Sequence, residues 1–171
     1  MARDADGFDE LYAATSQRLL RYGYALTGDL TEAQDVIQET YVRAWRHWRQ
    51  VAAHPAPEAW LRLTASRLAT DRYRRLAGLR RAVTRSGPAP PAGPPSEDAV
   101  LLAAGLRRIP TDQRRALAMH YLLDLPVAEI ALELGVPEGT VKSWLSRGRA
   151  ALAAQLATER TGTEVPDGDR H

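Results

Sequence analysis

The sequence predicts an all-α protein built as two small helical domains joined by a proline-rich linker. Three observations carry this: apolar residues recur at helical spacing on both sides of the linker, no segment alternates as a half-buried strand does, and Ser86 to Pro95 reads SGPAPPAGPP. Neither a helix nor a central strand tolerates that proline content. Proline-rich chain extends by roughly 3.1 Å per residue, so the stretch alone can hold two domains about 30 Å apart, close to one turn of duplex DNA. Complete helical patterns on both flanks favour a linker over a long surface loop within one domain. The expected division is a first domain over 8–77, a linker over 78–95, a second domain over 96–157 and a disordered tail over 158–171, which lacks apolar periodicity.

The first segment, Phe8 to Thr27, supplies Leu11, Leu19, Leu20 and Leu26 as apolar partners. In the next, Ile37, Tyr41, Ala44, Trp45 and Trp48 form one buried stripe, with Asp35, Gln38, Glu39, Arg43 and Arg46 on the opposite face. Asp29 or Thr31 can cap this helix, because a side-chain oxygen there meets amide hydrogens left free by the first turn. His54-Pro55-Ala56-Pro57 interrupts the pattern, since each proline disfavours helix at the residue before it. A new helix is expected from about Glu58 to Leu76, with Leu61, Ala65, Leu68 and Leu76 inward and Arg62, Arg67, Arg74 and Arg75 outside. Beyond the linker, Ser96 followed by Glu97 and Asp98 is a helix start with acids placed well against the helix dipole, and Thr111 with Asp112 repeats it. A short helix over Val127 to Leu134, a stop at Gly135 and a longer helix from about Glu138 complete the order.

Composition narrows the function classes. Apolar content of 44% is ordinary for a globular protein, and zero cysteines exclude disulfides and thiolate metal sites. The four histidines, His47, His54, His120 and His171, include no i, i+4 pair, so no metal and no cofactor is expected. No nucleophile-base pair or phosphate-binding glycine loop suggests an enzyme. The opening MARDADGFDEL has acids where a signal peptide needs an apolar run, and no apolar stretch reaches membrane-spanning length, so a cytoplasmic protein without membrane insertion is expected. The formal net charge is only +2, but it is unevenly spread: eight arginines and one acid, Asp71, lie between Trp60 and Arg85, whereas Gly28 to Glu39 carries four acids and no base. One surface should attract phosphate and another repel it.

Val127 to Leu152, VAEIALELGVPEGTVKSWLSRGRAAL, has the spacing of a helix-turn-helix. Ala131 is small enough for the second helix to approach, Gly135 permits a left-handed turn, and Ile130, Leu134, Val136, Val141 and Leu145 make the shared core. Thr140, Lys142, Ser143, Ser146, Arg147 and Arg149 point outward from the second helix, where hydroxyls and a guanidinium bond base edges and cations hold phosphates. Trp144 either packs against neighbouring helices or stacks near the DNA backbone, and packing is favoured.

Two separated segments then resemble one family. AQDVIQETYVRAWRHW, Ala33 to Trp48, is similar to the polymerase-binding helix of sigma domain two, and Ile109 to Leu152 is similar to sigma domain four. With the arginine-rich helix between them, the chain from about Phe8 to Ala157 resembles the extracytoplasmic-function (ECF) sigma factors, which lack a middle sigma domain. The resemblance implies that Asp35, Gln38 and Glu39, with Arg43 and Arg46 nearby, contact the clamp-helix coiled coil of the polymerase largest subunit. It implies that the loop from Val51 to Pro57 and the helix from Glu58 to Arg75 engage the minus-10 element, with Arg62, Arg67, Arg74 and Arg75 on the backbone and His54 in the loop that receives an extruded base. It also implies that Ser143, Ser146 and Arg147 read the minus-35 element, with Thr140, Lys142 and Arg149 on phosphates. Asp71 and Trp60 are expected to be structural, through helix pairing and core packing. Arg67 stands where the family often has asparagine, Trp144 where it often has arginine, Pro126 in place of a frequent serine and Gly148 of a frequent alanine, which bears on the promoter sequence read.

The expected partners are therefore core RNA polymerase and promoter DNA, with an anti-sigma factor as a further one, and the free chain is expected to be a monomer. The rival reading is a stand-alone dimeric helix-turn-helix regulator, which leaves the acidic helix and the loop before Trp60 without a purpose.

Overall fold

In the computed structural model, residues 2–82, 102 and 104–162 are described, with the side chains of 5–76, 102 and 104–158. The helices are α1 (Ala2–Thr27), α2 (Leu30–Arg46), α3 (Trp48–Ala52), α4 (Pro57–Ala82), α5 (Thr111–Leu122), α6 (Val127–Leu134) and α7 (Glu138–Gly162), with a helical turn through 104–107 before α5. No strand occurs among the described residues. α1 packs on α2 and α4, α7 packs on α5 and α6, and α1 also packs on α5. The two bundles therefore share one continuous buried cluster, running from Leu19, Tyr22 and Val36 to Met119, Ile130 and Val141.

Local chemistry accounts for the element ends. α1 stops at Gly28, whose φ of 70° is left-handed and whose N–H donates to the Tyr24 carbonyl at 2.7 Å. The left-handed backbone favours glycine here, and a Cβ would also have to push aside the exposed Arg107 side chain that lies across it. Of the two possible caps for α2, Asp29 takes the role: it is extended, and its Oδ1 accepts from Glu32 N at 2.9 Å. α2 ends at His47, and the five-residue α3 seals the bottom of the first bundle with buried Val51. Pro57 opens α4, a position where its missing N–H has no helical partner in any case.

Two boundaries differ from expectation. α4 continues through 78–82, residues expected to be linker, because leucine, arginine and alanine there are good helix formers and the first linker proline comes only at Pro88. α7 likewise runs through 158–162, expected to be disordered, since a long helix adds residues cheaply once nucleated; Thr158 Oγ1 donates back to the Ala154 carbonyl at 2.9 Å. The linker core Ser86 to Pro95, the helix start at Ser96 and the tail from 163 lie outside the described residues.

Candidate functional site

On α2, the buried side is formed by Ala33, Val36, Ile37, Thr40, Tyr41 and Ala44. Trp45, expected in that stripe, is instead 49% exposed. It sits at the stripe's edge, one step past Ala44, and Phe8 of α1 covers only one side of it, edge to face at 5.1 Å. Exposed Tyr12 and Val42 stand near it, and together they line a groove of about 710 Å³ between α1 and α2, rimmed by Gln38 and Arg46. Apolar side chains left exposed inside a polar rim have the make-up of a protein-binding surface. Of the five α2 residues expected to meet a partner, Glu39 accepts from Arg43 Nε at 2.8 Å and Asp35 accepts from Arg72 of α4 at 2.9 Å, while Gln38 and Arg46 are exposed. Arg72 also donates to Glu32 at 2.8 Å. The sequence reading missed Arg72, although its neighbours in the basic run were singled out.

The loop before α4 is held by its own polar atoms. His54 N donates to the Val51 carbonyl at 3.1 Å, and its ring Nδ1 accepts from Ala56 N at 3.0 Å, between the two prolines. That acceptor role requires Nδ1 to be unprotonated. Along α4, Arg67, Arg74 and Arg75 are exposed as expected, and Asp71 shares their face instead of pairing helices. Trp60 packs against the core.

Arg62 departs from expectation. It is only 6% exposed and donates through Nε to both Glu133 oxygens at 3.1 Å and through its terminal nitrogen to Oε2 at 2.6 Å. Glu58 and Glu129 each approach it to 3.7 Å. Burial alone would lower its pKa, but the hydrogen-bonded Glu133, with the two other carboxylates, holds it above the ordinary guanidinium value. Helical periodicity put Arg62 outside the first bundle; α6 of the second bundle then lands on it.

In the second bundle, Gly135 caps α6 at φ 67° and ψ 36°, and Val136 N donates to the Ala131 carbonyl at 3.0 Å. This turn sets α7 across α6, with Ile130, Val141 and Leu145 buried and Leu134, Val136 and Trp144 packed against them. Lys142, Ser146, Arg147 and Arg149 are exposed along one side of α7, and Thr140 and Ser143 are half-buried beside them. Lys142 lies 3.7 Å from Glu138, and Arg149 donates to the Tyr121 hydroxyl at 3.1 Å. Hydroxyls and cations thus share one side of α7, most of it exposed. Among the described residues there is no metal-binding cluster, and no helix is long and apolar enough to cross a membrane.

Comparison with known proteins separates the same two regions. Residues 11–78 match the family Sigma-70 region 2, and residues 99–152 match Sigma-70, region 4. The chain is 37% identical over 155 residues to the ECF RNA polymerase sigma factor SigL of Mycobacterium tuberculosis, covering 85% of this chain and 86% of that one. Among solved structures, its fold is similar to that of the sigma factor RpoE of Bartonella quintana, crystallised with the anti-sigma factor NepR, at a TM-score of 0.68 and 23% identity over 88% of this chain and 97% of that one. The ECF sigma factor SigJ of M. tuberculosis superposes with a TM-score of 0.56 at 28% identity, over 84% of this chain and 52% of that one.

Proposed function

The chain belongs to the ECF RNA polymerase sigma factors, which direct promoter recognition and transcription initiation, and on that premise we propose which of its surfaces does what. The first domain, over 8–77, docks on core polymerase through Asp35, Gln38, Glu39, Arg43 and Arg46, with Trp45 and Val42 as the apolar centre of the contact. Its loop around His54 and the arginines of α4 hold the opened minus-10 strand, where single-stranded phosphates and an unstacked base become accessible. The second domain, over 96–157, reads the minus-35 duplex with Ser143, Ser146 and Arg147, while Thr140, Lys142 and Arg149 hold phosphates.

Binding energy, not bond chemistry, performs this work, and the protein acts where polymerase is, in the cytoplasm. An anti-sigma factor, such as the one bound to the Bartonella relative, would cover the same faces. The observation that carries the reading is that one chain presents both an exposed aromatic groove on α2 and an uncovered cationic, hydroxyl-bearing face on α7. With a net charge of only +2, the free protein should hold duplex DNA weakly and gain affinity when polymerase adds its own contacts. Mobility-shift and transcription assays with and without core polymerase test this. A promoter complex requiring the enzyme is expected, and an equally tight complex without it would overturn the assignment.

A further inference from the structure

Tying the two domains together, Glu133 of α6 grips Arg62 of α4 with both carboxylate oxygens, and its side chain is 9% exposed. We propose that this pair is a latch: it keeps the helix-turn-helix domain closed against the strand-binding side of the first domain, and a DNA phosphate must displace Glu133 to reach Arg62. The DNA half of this inference rests on the role proposed above for α4; the latch itself does not.

Three features support a contact made to open. First, a carboxylate bound by both oxygens to a guanidinium copies the geometry and charge of a phosphate on arginine. Glu129 and Glu58 at 3.7 Å add charge of the same sign, so the site is already filled by acids where DNA would bring phosphate. Second, the cleft beside the pair, about 620 Å³, has Arg67, Asp71 and Arg74 of α4 on one wall and Leu132 of α6 with its cap Gly135 on the other. A strand running along α4 meets α6 there. Leu132 is 84% exposed, so α6 approaches α4 without sealing against it. Third, two cations beside the shared apolar cluster are incompletely bonded. Arg114 is buried, its pKa is lowered by that burial, and its Nε and that of Arg115 lack hydrogen-bond partners. Ser146 and Arg147 on α7 stay uncovered, as do Arg67, Arg74 and Arg75 of α4, so closure hides Arg62 alone among the four arginines proposed to hold the strand and leaves the duplex-reading helix free.

The experiment uses the full chain, which has no cysteine, so that Gln50→Cys and Ala150→Cys place one spin label on an exposed site in each domain. Pulsed electron resonance measures the distance between them, and circular dichroism checks that each variant keeps its helices. A single short distance is expected for the parent, with a longer and broader distribution for Glu133→Gln and for Arg62→Gln. Arg62→Lys keeps the charge but loses the two-pronged grip, and should open partway. A short fluorescent single-stranded DNA is then titrated at low salt. Glu133→Gln should bind roughly tenfold tighter than the parent, the size expected from freeing one charged hydrogen-bonding group, whereas Arg62→Gln should gain nothing although it is equally open. Unchanged distances in folded Glu133→Gln and Arg62→Gln would overturn the latch, whatever becomes of the sigma-factor roles. Opening without tighter binding by Glu133→Gln, or with an equal gain by Arg62→Gln, would overturn the competition with DNA. Failure of the domain roles themselves would be read elsewhere, in the parent protein's dependence on polymerase.

Discussion

Arg72 of α4 donates at 2.9 Å to Asp35 of α2, tying the helix proposed to hold the opened strand to a residue proposed to meet polymerase. Both ends of the pair are well exposed, so its own contribution to stability is small, about 0–1 kcal/mol. Its value lies in fixing where the Asp35 carboxylate points.

Reversing the charge at Asp35 and Glu39 together should therefore leave the fold intact and weaken association with core polymerase by about tenfold or more, as expected for like charges placed across an interface. Binding measured by fluorescence anisotropy checks this, with a thermal melt as control. Unchanged association would remove α2 from the interface.

Trp45→Ala should separate stability from binding still more cleanly. Losing the edge-to-face contact with Phe8 removes about 0.5–1.5 kcal/mol from the fold, whereas a half-exposed tryptophan at the centre of an interface contributes about 2 kcal/mol or more to binding. Equal losses in a melt and in polymerase affinity would mean that the side chain is merely structural.

On α7, Arg147→Ala should cost about 1–3 kcal/mol on the preferred minus-35 sequence and flatten the preference among sequences. Lys142→Ala should weaken all sequences alike and reduce the salt dependence by about one phosphate contact. Competition assays across single-base promoter variants with reconstituted holoenzyme distinguish the two behaviours.

At Gly135 a Cβ would meet nothing within 4 Å, so the cost of Gly135→Ala is backbone strain alone. A loss of about 1–2 kcal/mol is expected from the left-handed conformation, and Gly135→Asn should lose less. Urea unfolding of the three proteins measures it, and a neutral alanine substitution would contradict the observed turn.

Tyr22 gives the fold a pH dependence. Burial raises its pKa, the nearby Arg115 opposes the shift, and Glu133 adds to it. Because the folded value lies above the unfolded one near 10, the neutral phenol's stabilisation is complete below about pH 10 and is lost as pH rises through the folded value. Denaturant midpoints should fall above pH 10, and Tyr22→Phe should flatten that fall. An unchanged alkaline slope in the variant would assign the loss to other tyrosines.

What the sequence by itself determined was local. Periodicity placed the helices, Asp29 was among the residues able to cap α2, and Gly135 with Ile130, Val141 and Leu145 specified the helix-turn-helix, because spacing and caps act within a few residues. The exposed faces of α2 and α7 were also legible, as positions left over once the apolar stripe was assigned. Only the tertiary structure decided which faces would be covered. Arg62 lay on an outward position of α4 and is buried because Glu133, 71 residues away, arrives from another domain. Trp45 belonged by spacing to the buried stripe and stays half-exposed because α1 covers one side of it. Arg72 found Glu32 and Asp35 because α4 lies against α2. A helical pattern says which side of a helix is apolar, but the environment of a long side chain at its edge depends on what lands there, and that follows from how the helices pack.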